Sequence, residues 1–237
     1  MADPNASKGW SQPQDALRLF PPLLAHCDQG VDHVIADVAH RLPNKEIWVT
    51  EWSPRASDYT VADQPPPMMM ALLAARMTSA YLRHKEITMA LFFTMNFNRQ
   101  TYLNMFQPDG KGGYQAVPEA VALRWFNEAA NGGAPFQRYV EAGAKPVAGG
   151  GWRQESFQEV EADVFRKGDH TILILENCGA QARQFQIPAA IETHPPAKVE
   201  TLSASDVTTP ENIQSITQPG AGADVRIPAY SLTRIVW

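Results

Sequence analysis

Apolar positions in the first part of the chain switch between helical and strand spacing. Asp15 to Phe20 reads as a short helix stopped by Pro21-Pro22, since proline removes a donor and crowds the preceding turn. Asp28 is placed as an N-cap, and Val31, Val34, Ile35, Val38 and Leu42 follow at helical intervals until Pro43-Asn44. Lys45 to Trp52 is rich in β-branched and aromatic residues and predicts a strand. Pro65 to Pro67 open a second helix, with Met69, Leu72, Leu73, Met77, Ala80 and Tyr81 as its apolar stripe and His84-Lys85 at its end. Ile87 to Asn98, apolar on both faces, predicts a buried parallel strand. Pro118 to Asn131 predicts a third helix closed by Gly132-Gly133. Helix, strand, helix, strand, helix is an α/β order with parallel strands.

The pattern changes across the glycine-rich stretch Ala142 to Gly151. Beyond it, Val160, Ala162 and Val164 alternate with Glu161 and Asp163, and Lys167 to His170 turns the chain into Thr171 to Leu175. Arg183–Ile187, Lys198–Leu202, Val225–Ile227 and Leu232–Trp237 follow as short strands. That spacing predicts a small β-sandwich. The expected division is 1–145 as an α/β unit and 146–237 as an all-β unit.

Composition narrows the function classes. The chain is 44% hydrophobic and 19% charged, as in soluble globular proteins. Its net charge of -5 leaves no basic excess for phosphates, so no nucleic-acid partner is expected. No apolar run is long enough to span a bilayer, so no membrane partner is expected. Met-Ala-Asp-Pro-Asn shows no basic and apolar leader pattern. Cys27 and Cys178 fit neither a disulfide framework nor a zinc site, and both read as buried thiols. His33, His40 and His84 have no metal-ligand spacing, and no nucleotide-binding or serine-hydrolase motif is present.

The informative residue is Glu51. Strict alternation puts Ile47, Val49 and Glu51 on one face of their strand and Trp48, Thr50 and Trp52 on the other. A carboxylate at the carboxyl end of an apolar parallel strand is how a parallel barrel equips its mouth. The competing reading pairs Glu51 with Arg55 or Arg99. Trp52, Tyr59, Phe97 and Tyr102 fall at or just after strand ends, where flat rings can stack on sugars, while Trp48 is expected against the helices. Asn96 and Asn98 can hydrogen-bond sugar hydroxyls or cap loop backbone. Met68-Met69-Met70 reads as helix packing.

Ile47-Trp48-Val49-Thr50-Glu51-Trp52 resembles the seventh strand of clan A glycoside hydrolases, where an apolar strand ends in Thr-Glu-aromatic. Arg226 to Ile235 resembles the final strands of the β-sandwich that follows the barrel in several of these families. The resemblance implies the last units of a (β/α)8 TIM-type barrel, with Ile87 to Asn98 as its eighth strand, followed by a β-sandwich. It implies Glu51 as the nucleophile of a retaining glycosidase, a carbohydrate substrate bound by Trp52, Tyr59, Asn96 and Asn98, and no cofactor or metal.

A full barrel has eight strands and typically about 250 residues, and only two barrel strands are recognisable here. The clan's acid/base glutamate follows an asparagine at the fourth strand's end. The chain's Asn127-Glu128 lies in a helix instead. Retaining hydrolysis needs two carboxyl groups about 5–5.5 Å apart, and Asp58, Asp63 and Asp109 are the only other acids on mouth loops. The expectation is therefore the C-terminal portion of such an enzyme, inactive in isolation. Its partner would be the missing N-terminal barrel half, or a second copy through self-association at free strand edges. The alternatives are a non-catalytic carbohydrate-binding or interaction module, and a complete small α/β protein in which Glu51 is an ion-pair partner.

Overall fold

The structure is a computed structural model. It describes residues 13–53, 67–93, 105–131, 136–140, 144–150, 155–189, 191, 194–207, 213–219 and 224–237.

Helix α1 (Pro13–Ala25) passes through Pro21 and Pro22 rather than stopping there. The carbonyls that lose donors belong to Leu17 and Arg18, both exposed, so water can serve them while Phe20 and Leu24 anchor the buried side. A π-helical turn, His26–Gly30, joins α1 directly to α2 (Val31–Arg41). Asp28 is therefore not an N-cap. The wider turn carries it inward, and Cys27, Asp28 and Gly30 are all buried. At Gly30 a Cβ would lie 2.3 Å from Nδ1 of His26, so any larger residue would have to displace that ring.

Strand β1 (Ile47–Trp52) pairs in parallel with β2 (Ile87–Phe92), and α3 (Pro67–Leu82) connects them. Hairpin strands β3 (Phe106–Pro108) and β4 (Tyr114–Ala116) precede α4 (Pro118–Ala130). The expected one-sided stripe on α3 is a stripe only at its end. From Met68 to Arg76 every residue is buried, because this is the central helix of the molecule. Met68, Met69 and Met70 sit in its core, in keeping with their reading as helix packing.

A six-stranded antiparallel sheet occupies the rest of the chain. Its order is β12 (Gln214–Pro219), β11 (Lys198–Ser203), β14 (Ser231–Val236), β9 (His170–Asn177), β8 (Val160–Lys167) and β5 (Phe136–Val140). Edge strand β5 lies before the 145/146 junction expected from composition. Short strands β6 (Val147–Ala148) and β7 (Ser156–Phe157) pair beside it, and β10 (Arg183–Gln186) pairs with β13 (Asp224–Ile227).

Both faces of the large sheet are covered. Phe165, Ile172, Ile174 and Leu232 pack against α1, α3 and α4. Ala162, Val164, Leu173, Leu175 and Ile235 pack against Val225 and Ile227 of β13. A third cluster joins one face of the β1–β2 pair to α2, α3 and α4 through Ile35, Trp52, Tyr81 and Leu123. The opposite face of that pair is open. Thr88, Ala90 and Leu91 are exposed, so β2 is not buried on both sides among the described residues. No described helix is long and apolar enough to cross a membrane.

Candidate active site

Glu51 stands at the carboxyl end of β1, but it does not share a face with Ile47 and Val49. Val49 pairs with Ala90 and Trp52 with Phe92, so β1 holds one residue more than β2 across this interval. That bulge breaks the alternation. Thr50 and Glu51 both turn outward, and Trp52 turns in to join the face of Ile47 and Val49. The Glu51 carboxylate is exposed on the open face and forms no hydrogen bond or ion pair with any described residue.

The bulge exchanges the two tryptophans. Trp52, expected at the mouth, is 7% exposed and meets Tyr81 and Phe92 edge-on at 5.3 and 5.0 Å. Trp48, expected against the helices, is 62% exposed. On this open face Trp48 is the ring free to stack. Tyr59, Asn96 and Asn98 lie outside the described residues, as do Phe97, Tyr102, Asp58, Asp63, Arg55 and Arg99.

The described acids supply no obvious second carboxyl for Glu51. Asp109 accepts hydrogen bonds from the backbone N–H groups of Lys111 (2.7 Å) and Gly113 (2.9 Å), closing the β3–β4 turn. Those bonds hold its carboxyl below the usual range, so it is a turn acceptor rather than a proton donor. Glu119, in the first turn of α4, is 4% exposed and pushed up to about 8 by burial. It is protonated at neutral pH, as a general acid must be. Yet it is enclosed, and its Oε1 has no partner among the described residues.

The densest chemistry of the chain was hidden from sequence reasoning. Arg76, completely buried on α3, donates from Nε to Glu176 at 2.9 Å and from Nη1 to Glu161 and to Asp28 (3.4 Å). Its Nη2 donates to the Gln158 carbonyl at 3.1 Å. Arg138 of β5 donates to Glu161 (2.7 Å) and Asp28 (3.2 Å), and Arg83 also holds Asp28. Ser79 donates to Asp163 at 3.0 Å.

Glu161 and Glu176 face each other across β8 and β9, a pairing that repels unless a cation bridges it. Burial raises Asp28, but the Arg76, Arg83 and Arg138 guanidiniums overcome it and keep the carboxyl low. Burial, reinforced by Glu176 and Glu161, raises the Asp163 carboxyl well above its ordinary value. Burial likewise pushes Glu176 up to about 7 against the pull of Arg76. Both thiols are buried beside this network, and desolvation raises Cys27 to about 12 and Cys178 further. They are inert packing groups. Solvent has no route to Arg76, so the network is a clamp tying α3 and the π-helical turn to β5, β8 and β9.

A hollow of about 900 Å³ lies between β2, the end of α3 and α4. Trp52 lines it and Glu51 does not. No group of three His, Cys, Asp or Glu side chains among the described residues is placed to hold a metal ion.

No family model matches the sequence, and no curated protein matches it. Solved structures do. The catalytic domain of GH30 xylanase C from Talaromyces cellulolyticus is similar over 81% of this chain and 40% of its own, with 13% identity and a TM-score of 0.50. A conserved exported protein from Bacteroides fragilis is similar over 82% of this chain and 39% of its own, with 12% identity and a TM-score of 0.52. A GH30 endoxylanase from Clostridium papyrosolvens C71 is similar over 83% and 43%, with 13% identity and a TM-score of 0.48. The chain resembles part of a clan A glycoside hydrolase. It spans about two fifths of the length of the solved structures it matches.

Proposed function

We propose that these residues form the C-terminal part of a retaining glycoside hydrolase: the last strand–helix units of a (β/α)8 barrel and the β-sandwich behind it. Glu51 is its nucleophile and the O-glycosidic bond of a glycoside or polysaccharide its substrate. The observation that carries this reading is the bulge in β1. It lifts a carboxylate that has no partner among the described residues out of the carboxyl end of a parallel strand, in a fold shared with glycoside hydrolases. The exposed Trp48 ring on the same open face supports it, since aromatic faces take the apolar side of a sugar. Tyr59, Asn96 and Asn98 complete the proposed sugar contacts. The acid/base carboxyl belongs to the barrel half that lies outside these residues. The chain alone is therefore inactive on glycosides whose leaving oxygen needs a proton.

A 2,4-dinitrophenyl glycoside separates the two roles, because its leaving group departs without protonation. Glu51 attacks the anomeric carbon, dinitrophenolate leaves with the bonding pair, and added azide displaces the carboxylate to give a glycosyl azide. The expected result is slow formation of that azide across a panel of dinitrophenyl sugars, abolished by Glu51→Gln. Formation of the retained glycosyl azide that survives Glu51→Gln, or no azide from the unaltered chain with any sugar, refutes Glu51 as nucleophile; an inverted azide from the variant, made by direct attack of azide, does not. Turnover of unactivated glycosides by the chain alone refutes the missing acid.

A further inference from the structure

A separate hollow of about 180 Å³ lies where the π-helical turn and the start of α2 meet β5 and β7. Its polar groups carry both signs of charge. Asp32 lines it with 34% of its side chain exposed, and Arg138 with 25%. Arg138 gives Nε and Nη2 to Glu161 and Asp28, and its Nη1 has no hydrogen-bond partner among the described residues. Arg83 and His84 crowd Oδ1 of Asp32, whereas Oδ2 receives Arg83 Nη2 alone, at 3.0 Å, and keeps a lone pair. Gln29 accepts from the Ser156 backbone N–H at 2.9 Å. An N–H can only donate, so this bond fixes the amide oxygen toward β7 and leaves the NH2 group without a partner among the described residues. Val140 and Phe157 supply apolar wall.

We infer that this hollow is a binding site for one neutral, polyhydroxylated ring of the size of a single sugar, separate from the Glu51 site. A hydroxyl both donates and accepts. One ring hydroxyl accepts from Arg138 Nη1 or the Gln29 amide while its neighbour donates to Asp32 Oδ2, and the C–H side of the ring meets Val140 and Phe157. The lining disfavours other classes of ligand. An anion in this space faces Asp28 and Asp32, and a cation faces Arg138. An apolar ligand strips water from Arg138 and Asp32 without replacing its hydrogen bonds. The volume of about 180 Å³ is that of about six liquid waters at roughly 30 Å³ each, and a single hexose ring displaces much the same. The π-helical turn that shapes one wall is of a rare kind that concentrates at functional sites. Glu51 takes no part, so the site stands or falls apart from the glycosidase reading.

The probes are the methyl glycosides of glucose, galactose, mannose and xylose, titrated into the full chain by calorimetry and by NMR. At least one should bind saturably, one to one, with a dissociation constant on the order of 1 mM, and should shift the Gln29 side-chain amide resonances. Asp32→Asn, and Val140→Trp, which fills the hollow, should each weaken it at least about tenfold. Glu51→Gln should leave it unaltered. No binding of any of the four up to about 100 mM overturns the proposal. So does tighter binding of glucuronate or glucosamine than of every neutral glycoside. Binding lost with Glu51→Gln overturns it too, and moves the sugar to the open face of β1. Undiminished binding by an Asp32→Asn or Val140→Trp chain of unchanged circular dichroism also overturns it. If neither variant folds, the unaltered chain decides: Gln29 amide resonances that move as the sugar saturates support the site, and resonances that stay still overturn it.

Discussion

Glu119 offers the sharpest test of the energetics. Its carboxyl is fully buried in the first turn of α4 and is raised from 4.5 to about 8 by desolvation alone. The folded state therefore holds this proton over a pH range in which the unfolded chain has lost it. Stability contributed by a raised acid is fully present below about 4.5 and is lost as pH climbs through about 8. At about 1.4 kcal/mol per pH unit, the loss across that window is on the order of 5 kcal/mol, comparable to the whole stability of a small domain, about 5–15 kcal/mol. Glu119→Gln keeps the shape and removes the titration. Urea unfolding followed by tryptophan fluorescence at pH 5, 7 and 8.5 should find the variant near the parent at pH 5 and increasingly more stable above. Subtracting the parent cancels Asp163 and Glu176, whose carboxyls are raised in the same direction. A stability difference that stays constant with pH would refute the reasoning.

Two further outcomes check the clamp and the bulge. Arg76→Met strands Glu176 in the interior and leaves Glu161 and Asp28 to Arg138 and Arg83 alone. It should cost about 3–5 kcal/mol in urea unfolding at pH 8, shrinking at low pH as those acids take up protons; a loss under about 1 kcal/mol would mean the network is not a clamp. Trp52→Ala should cost about 3–5 kcal/mol, whereas Trp48→Ala should stay within about 0.5 kcal/mol. The reverse order would show that strict alternation, not the bulge, describes β1.

Much of the fold could be read from local spacing. The helix at 118–131, the strand at β1, the start of β2, the turn at Gly168 and strands β8, β9, β10, β11, β13 and β14 fall where periodicity and turn residues put them, whereas β7 and the edge strand β12 were not expected. The resemblance to clan A glycoside hydrolases was legible from six residues around Glu51 and the final strand, although no family model matches the chain. Other features were not legible, for physical reasons that differ. Pro21-Pro22 is a strong stop signal, but exposed carbonyls and a buried Phe20 and Leu24 outweigh it. Asp28 has the form of a cap, and only the arginines arriving from α3 and β5 show that it is a buried anion.

The alternation of β8 marks two chemically different sides, Val160, Ala162 and Val164 against Glu161 and Asp163. A sequence read alone assigns the charged side to water. Here both sides are buried, and Glu161 meets Arg76 and Asp163 meets Ser79, both on a helix about 85 residues upstream. In the same way, β1 announces a glutamate and two tryptophans, while the extra residue that turns Glu51 and Trp48 out and Trp52 in exists only in its pairing with β2. The sequence by itself determined the kind and order of the elements, because backbone preference and side-chain period act over a few residues. Tertiary structure decided which polar groups are enclosed and which carboxylate is exposed, because that depends on the surface each face meets across the fold.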